Sequence, residues 1–95
     1  MSDDEIRDSI LKFLNAYAPS SFTYKGIVNK EHLMPNYSSE EFNRNIVYLE
    51  DKNYVVKEQN GGWRITAKGT DYIEQKIAEE KERKRNQEKK GRLGF

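Results

Sequence analysis

Arg44, with Asn43 and Asn45 beside it, places three side chains with paired hydrogen-bonding groups on consecutive residues. A guanidinium matches the two acceptors of a guanine edge, and a carboxamide matches the donor and acceptor of an adenine edge. Ser38 and Ser39 precede them at a helix start, where hydroxyls and backbone amides suit a phosphate. Tyr48, one turn further on, reaches a phosphate or packs on a sugar. A second group, Lys57, Asn60, Gly61 and Arg64, surrounds a turn. There Gly61 and Gly62 let backbone approach a phosphate, and Lys57 and Arg64 add charge. Other chemistries lack their residues. Cysteine is absent and histidine occurs once, at His32, so thiolate or His-cluster metal sites and a Cys nucleophile are excluded. No glycine-rich loop joins a strand to a helix, and no nucleophile elbow or supported carboxylate pair is present. No enzyme activity and no cofactor are expected.

Charge and apolar content divide the chain into blocks. The 95 residues carry a formal net charge of +1, from 17 Lys+Arg against 16 Asp+Glu, which does not mark a strongly basic nucleic-acid binder. The balance is a cancellation: residues 1–21 are net −2, residues 22–78 neutral and residues 79–95 net +3. From Ile6 to Ile77, 29 of 72 residues are hydrophobic, whereas from Glu79 onward only Leu93 and Phe95 are. This pattern predicts one domain over 1–78 and a charged, net basic segment over 79–95, either a helical extension or a disordered tail. Such a segment solubilises a helix end or serves as a nonspecific phosphate-binding arm. No run approaches the ~18 apolar residues of a membrane span, and the acidic start lacks a secretory pattern. A cytoplasmic location without membrane contact is expected.

The elements that must position these groups follow from local signals. Ile6, Ile10, Phe13, Leu14 and Tyr17 recur at helical spacing. Ser2 with Glu5 reads as a capping box, so helix 1 is predicted over about 3–17. Phe22 is expected to be extended. Thr23 caps a short helix 2 that turns Tyr24, Ile27 and Val28 inward, and Met34-Pro35-Asn36 breaks it. Ser38 with Glu41 forms another capping box, Tyr37 and Phe42 form a hydrophobic staple, and Phe42, Ile46 and Leu49 make the inner stripe of helix 3, about 39–52. Asn53 tolerates the left-handed conformation of a helix stop. Tyr54-Val55-Val56 and Trp63-Arg64-Ile65 read as strands around Asn60-Gly61, with Trp63 and Ile65 on one face. Thr66 caps helix 4, whose apolar stripe is Tyr72, Ile73 and Ile77.

This order, carried by Ser38 to Val55 and by Gly61-Gly62-Trp63-Arg64-Ile65-Thr66-Ala67-Lys68-Gly69, resembles the winged-helix family of helix-turn-helix domains. Leu49-Glu50-Asp51-Lys52-Asn53-Tyr54 is similar to the family's Leu-Glu-x-x-Gly-hydrophobic junction, with Asn53 at the glycine position. Ile65-Thr66-Ala67-Lys68-Gly69 is similar to the segment after the wing in many small bacterial and archaeal transcription regulators. The resemblance covers about residues 4–78. It implies an α+β fold, a winged helix-turn-helix of three helices, a β-hairpin wing and a C-terminal helix. It implies double-stranded DNA as partner, with helix 3 in the major groove and the 57–64 wing alongside. It also implies a homodimer through helix 1 and helix 4, and an acidic helix 1 facing away from DNA.

The outer face of helix 3 then presents Glu40, Arg44, Val47, Tyr48 and Asp51, with Asn43 and Asn45 on its flanks. The residues expected to touch DNA are Ser38, Ser39, Asn43, Arg44, Asn45, Tyr48, Lys57, Asn60, Gly61 and Arg64. Glu40, Glu41, Glu50 and Asp51 against Arg44 and Lys52 make helix 3 net −2, which opposes a polyanion. The alternative expectation is a protein–protein interaction module, with exposed Val47 and Tyr48 on helix 3 and weak nonspecific nucleic-acid binding through the tail.

Overall fold

Among the described residues, four helices and one two-stranded antiparallel hairpin make up an α+β fold. The computed structural model describes residues 2–31 and 35–93, with side chains described as far as Arg83. The expectations for His32, for Met34 and for the side chains of residues 84–95 lie outside the described residues. The elements are α1 (Asp3–Ala16), α2 (Tyr24–Glu31), α3 (Ser39–Asp51), β1 (Val55–Lys57), β2 (Trp63–Ile65) and α4 (Ala67–Leu93). Among the described residues no helix is long and apolar enough to cross a membrane.

Short-range side-chain chemistry starts and stops the helices. At α3 both halves of the capping box form: Ser38 Oγ accepts from the Glu41 amide at 3.2 Å, and Glu41 Oε1 accepts from the Ser38 amide at 3.0 Å. Tyr37 stacks on Phe42, centroids 6.4 Å apart, as a staple requires. At α1 only half of the expected box forms. Ser2 Oγ accepts from the Glu5 amide, but the Glu5 carboxylate accepts from the Ser2 hydroxyl rather than from the Ser2 amide. Thr23 Oγ1 accepts from the Gly26 amide to start α2. Asn53, at φ 64°, ends α3, and the bonds from Asn53 N–H to Glu50 O and from Tyr54 N–H to Leu49 O complete the two-bond helix stop.

The core gathers Ile6, Ile10, Leu11, Phe13 and Leu14 of α1 with Ile27, Tyr37, Phe42, Ile46, Leu49, Val55, Ile65 and Ile73. Leu11 widens the expected stripe of α1 because α4 covers a second side of that helix. Lys76 Nζ pairs with Asp8 at 2.8 Å, and Thr70 Oγ1 donates to Asn15 Oδ1 at 3.2 Å along that side. Ile73 is fully buried within this chain and Tyr72 stacks on Tyr54 at 4.6 Å. Of the stripe of α4, Ile73 packs inside this chain while Tyr72 stays exposed. Tyr24 and Tyr37 ring Phe42, and Tyr24 Oη donates to Tyr37 O at 2.9 Å, fastening α2 to the start of α3. Burial, reinforced by Tyr24 and Glu31, pushes the Tyr37 hydroxyl up to about 12.

Strand pairing runs Val55↔Ile65, Val56↔Arg64 and Lys57↔Trp63. Phe22 joins Trp63 through two reciprocal 2.9 Å backbone bonds, so the extended residue after α1 adds a one-residue edge to the hairpin. The turn differs from the two-residue loop that Asn60-Gly61 suggests. Gly61 N–H donates to Glu58 O and Glu58 N–H to Gly62 O, and Gly61 alone takes a positive φ, +89°. This is a three-residue loop with glycine at its left-handed position. Thr66 Oγ1 accepts from the Gly69 amide to begin α4, and donates to Asn53 O at 2.6 Å.

Gly69 sits where α4 starts against the end of α3. A Cβ there would lie 2.2 Å from Tyr54 O and 2.8 Å from Ile65 Cγ1. Gly69→Ala, which helix propensity alone would favour by ~0.5–1 kcal/mol, is therefore expected to destabilise by at least ~2 kcal/mol. Urea denaturation measures the difference, and its sign separates the steric contact from propensity.

Candidate nucleic-acid interface

The capping box and the Phe42–Ile46–Leu49 stripe fix which side of α3 faces out. Ser39, Glu40, Asn43, Arg44, Val47, Tyr48 and Asp51 are exposed, Val47 at 53 % and Tyr48 at 39 %. Ser38 is exposed too, but its amide and hydroxyl oxygen are both engaged in the capping box.

Asn45 departs from its expected place. It is fully buried, because position 45 lies about 60° from Phe42 toward the inner stripe. Its Nδ2 donates to Glu41 O at 2.9 Å and to Asp3 Oδ1 at 3.3 Å, and its Oδ1 accepts from Arg7 Nε at 2.9 Å. The amide is consumed inside the fold and is not offered to an outer ligand.

Arg44 is exposed as expected but not free. Its Nη2 meets Asp3 Oδ1 at 2.7 Å. The Arg44 hydrogen bond, then that of Asn45, holds the Asp3 carboxyl below its usual value of 3.8, and Asp3 raises Arg44 in turn. The acidic start of α1 therefore lies against the outer flank of α3, not away from it. Arg7 completes the junction: its Nη1 pairs with Asp4 at 3.3 Å and its guanidinium lies 3.6 Å over the Tyr48 ring. One face of Tyr48 is covered by Arg7, and its edge opens on a cleft of about 180 Å³ shared with Lys52, Tyr54 and Tyr72.

The hairpin is attached to α3 through Trp63, whose ring meets Phe42 edge-on at 5.8 Å and whose indole N–H donates to Glu50 at 3.3 Å. Lys57 shares the Trp63 face of the hairpin, its Nζ 5.3 Å from the ring. Arg64 points to the other face and pairs with Glu58. Asn60 is exposed yet tied down: Nδ2 donates to Ser21 Oγ at 3.0 Å and Oδ1 accepts from the Gly62 amide at 2.9 Å. Gly62 faces the Phe22 backbone, not solvent, so of the two glycines only Gly61 lies open at the tip.

Of the ten residues singled out, the structure brings Ser38, Ser39, Asn43, Arg44 and Tyr48 to the α3 surface and Lys57, Asn60, Gly61 and Arg64 to the hairpin. Asn45 alone is withdrawn. Asp3 and Arg7 belong to the site and carry no signal of it in the sequence. Their partners are about 40 residues away, and no local pattern announces them. Among the described residues no group of three His, Cys, Asp or Glu could hold a metal ion.

Asn45→Ala leaves Arg7 Nε and one Asp3 contact without a partner and is expected to cost ~1–3 kcal/mol in urea denaturation. Acid gives a second check. Because the folded Asp3 value is depressed, the stabilisation it brings is complete above the unfolded value and is lost as pH falls through the folded one. The difference in melting temperature between wild type and Asp3→Asn should therefore be full near about pH 6–7 and shrink below about pH 4. No family model, no curated protein and no solved structure matches the chain, so the surface itself carries the functional reading.

Proposed function

We propose that the chain is a winged helix-turn-helix DNA-binding domain, a transcription regulator that sets α3 in the major groove of duplex DNA and the 57–64 hairpin beside it. The observation that carries this reading is the mounting of α3. Its inner face is locked by core and caps, while Asn43 and Arg44 stand exposed side by side on the outer one, with the hairpin held at its edge by Trp63. Asn43 suits an adenine edge and Arg44 a guanine edge. Ser39 at the helix start and Lys57 on the hairpin suit phosphates. The last ten residues of α4 before Leu93 hold six basic residues and one acid, a charge that adds sequence-independent attraction to the duplex.

One observation favours a second reading, a protein-docking module. Arg44 and Arg64 are both paired with carboxylates, Asp3 and Glu58, and Val47 is half exposed on the outer face of α3 that also carries Glu40 and Asp51. Selection from a random duplex pool, followed by fluorescence anisotropy across a salt series, separates the two. The DNA reading expects an enriched sequence. It also expects Asn43→Ala and Arg44→Ala each to cost ~1–3 kcal/mol on that sequence and to relax discrimination at one position. Binding without sequence preference that disappears on removing residues 79–95 would leave the docking module.

A further inference from the structure

Arg44 is the only cation within α3, and the fold supplies it with an anion of its own. Asp3 Oδ1 receives Arg44 Nη2 at 2.7 Å and Asn45 Nδ2 at 3.3 Å. The two donors act differently. Asn45 is fully buried and held by Arg7 and by Glu41 O, so its amide is a fixed donor that keeps the carboxylate in place. Arg44 is the solvent-facing partner, with 60 % of its side chain exposed. Asp3 stands in the first turn of α1, a helix anchored by the fully buried Ile6 and Ile10, so the carboxylate is presented by a rigid element. It occupies the kind of position on Arg44 that a phosphate or a guanine edge would take.

We propose that Asp3 is an autoinhibitory phosphate mimic. It occupies Arg44 in the unbound protein, Asn45 acts as the positioning residue that holds it there, and DNA engages the α3 face by taking Arg44 from it. The inference rests on the DNA-binding reading and adds to it the residue that limits affinity. The pair is surface-exposed, and exposed ion pairs are weak, so a duplex can compete for Arg44 without unfolding α1.

The test is duplex binding by the 95-residue wild-type chain, Asp3→Asn, Glu5→Gln and Arg44→Ala, and by Asp3→Asn combined with Arg44→Ala. The probe is a labelled duplex in about 100 mM salt. Asp3→Asn should bind about fivefold more tightly, the equilibrium worth of one exposed ion pair. Glu5→Gln removes the same charge two residues away, leaves the Asp3–Arg44 and Asp4–Arg7 pairs intact, and should gain less than about twofold. In the Arg44→Ala background the Asp3→Asn gain should fall to that same level. Asp3→Ser serves if Asp3→Asn melts below the assay temperature. Wild-type binding with no Asp3→Asn gain, or a gain that survives Arg44→Ala, overturns the mimic and leaves the DNA reading standing. Absence of binding by wild type and by every variant at low salt overturns both.

Discussion

A buried carboxamide, Asn45, is the joint on which the arrangement of α1 and α3 depends. Apolar packing between the two helices is non-directional and tolerates small slides and rotations. A fully buried amide does not, because each donor or acceptor left without a partner costs free energy on the scale of a hydrogen bond. Asn45 meets that demand only when Arg7, Asp3 and Glu41 O are all in place. One residue of slip along α1 would strand both the amide and the Arg7 guanidinium. The polar contact thus selects one register from the several that the hydrophobic residues would accept.

Fixing that register also fixes the electrostatics of the outer surface. The chain-level net charge of +1 hides an acidic first block and a basic last one, and the joint brings the acidic block to α3. Asp3 neutralises Arg44, Asp4 pairs with Arg7, and Arg7 covers Tyr48. The α3 face therefore offers less positive charge than Arg44 alone would suggest, and the net basic part of the sequence lies in 79–95. Under the proposed DNA binding, affinity and sequence reading would fall to different elements, the long helix supplying attraction and the short capped one supplying geometry.

Elements whose signals lie within five residues are legible in the amino-acid sequence. Ser38 with Glu41, Tyr37 with Phe42, and Asn53 after Asp51 set both ends of α3, and each signal acts within about a turn and a half. Where a second helix intervenes, legibility falls. Leu11 falls outside the stripe that spacing predicts for α1, and it is buried because α4 gives that helix a second covered side. Asn60-Gly61 marks a hairpin tip, yet the left-handed residue is Gly61 alone, because the loop carries one residue more than the two-residue form. The site is the least legible part. Asn45 reads as exposed by residue type although its angular position lies near the inner stripe, and the groups that satisfy it, Asp3 and Arg7, come from the other end of the domain. Contacts across some 40 residues leave no periodicity to read.

Pairing of both candidate arginines has a consequence for what the surface can discriminate. Arg44 gives up Asp3, and Arg64 gives up Glu58, before either contributes to binding, so each adds only the difference between the new acceptor and the old. Asp3 takes a single nitrogen, Nη2. A lone phosphate oxygen offers Arg44 little more than that carboxylate already does, whereas the two aligned acceptors of a guanine edge offer a second bond. Exchange at Arg44 thereby rewards matched geometry over bare negative charge. In the proposed DNA-binding role Asn43, neutral and exposed, would make no such exchange and would read its partner at face value. A helix that is net acidic could on these terms still face a polyanion, because its one arginine would respond to the arrangement of acceptors and leave bulk attraction to the basic end of the sequence.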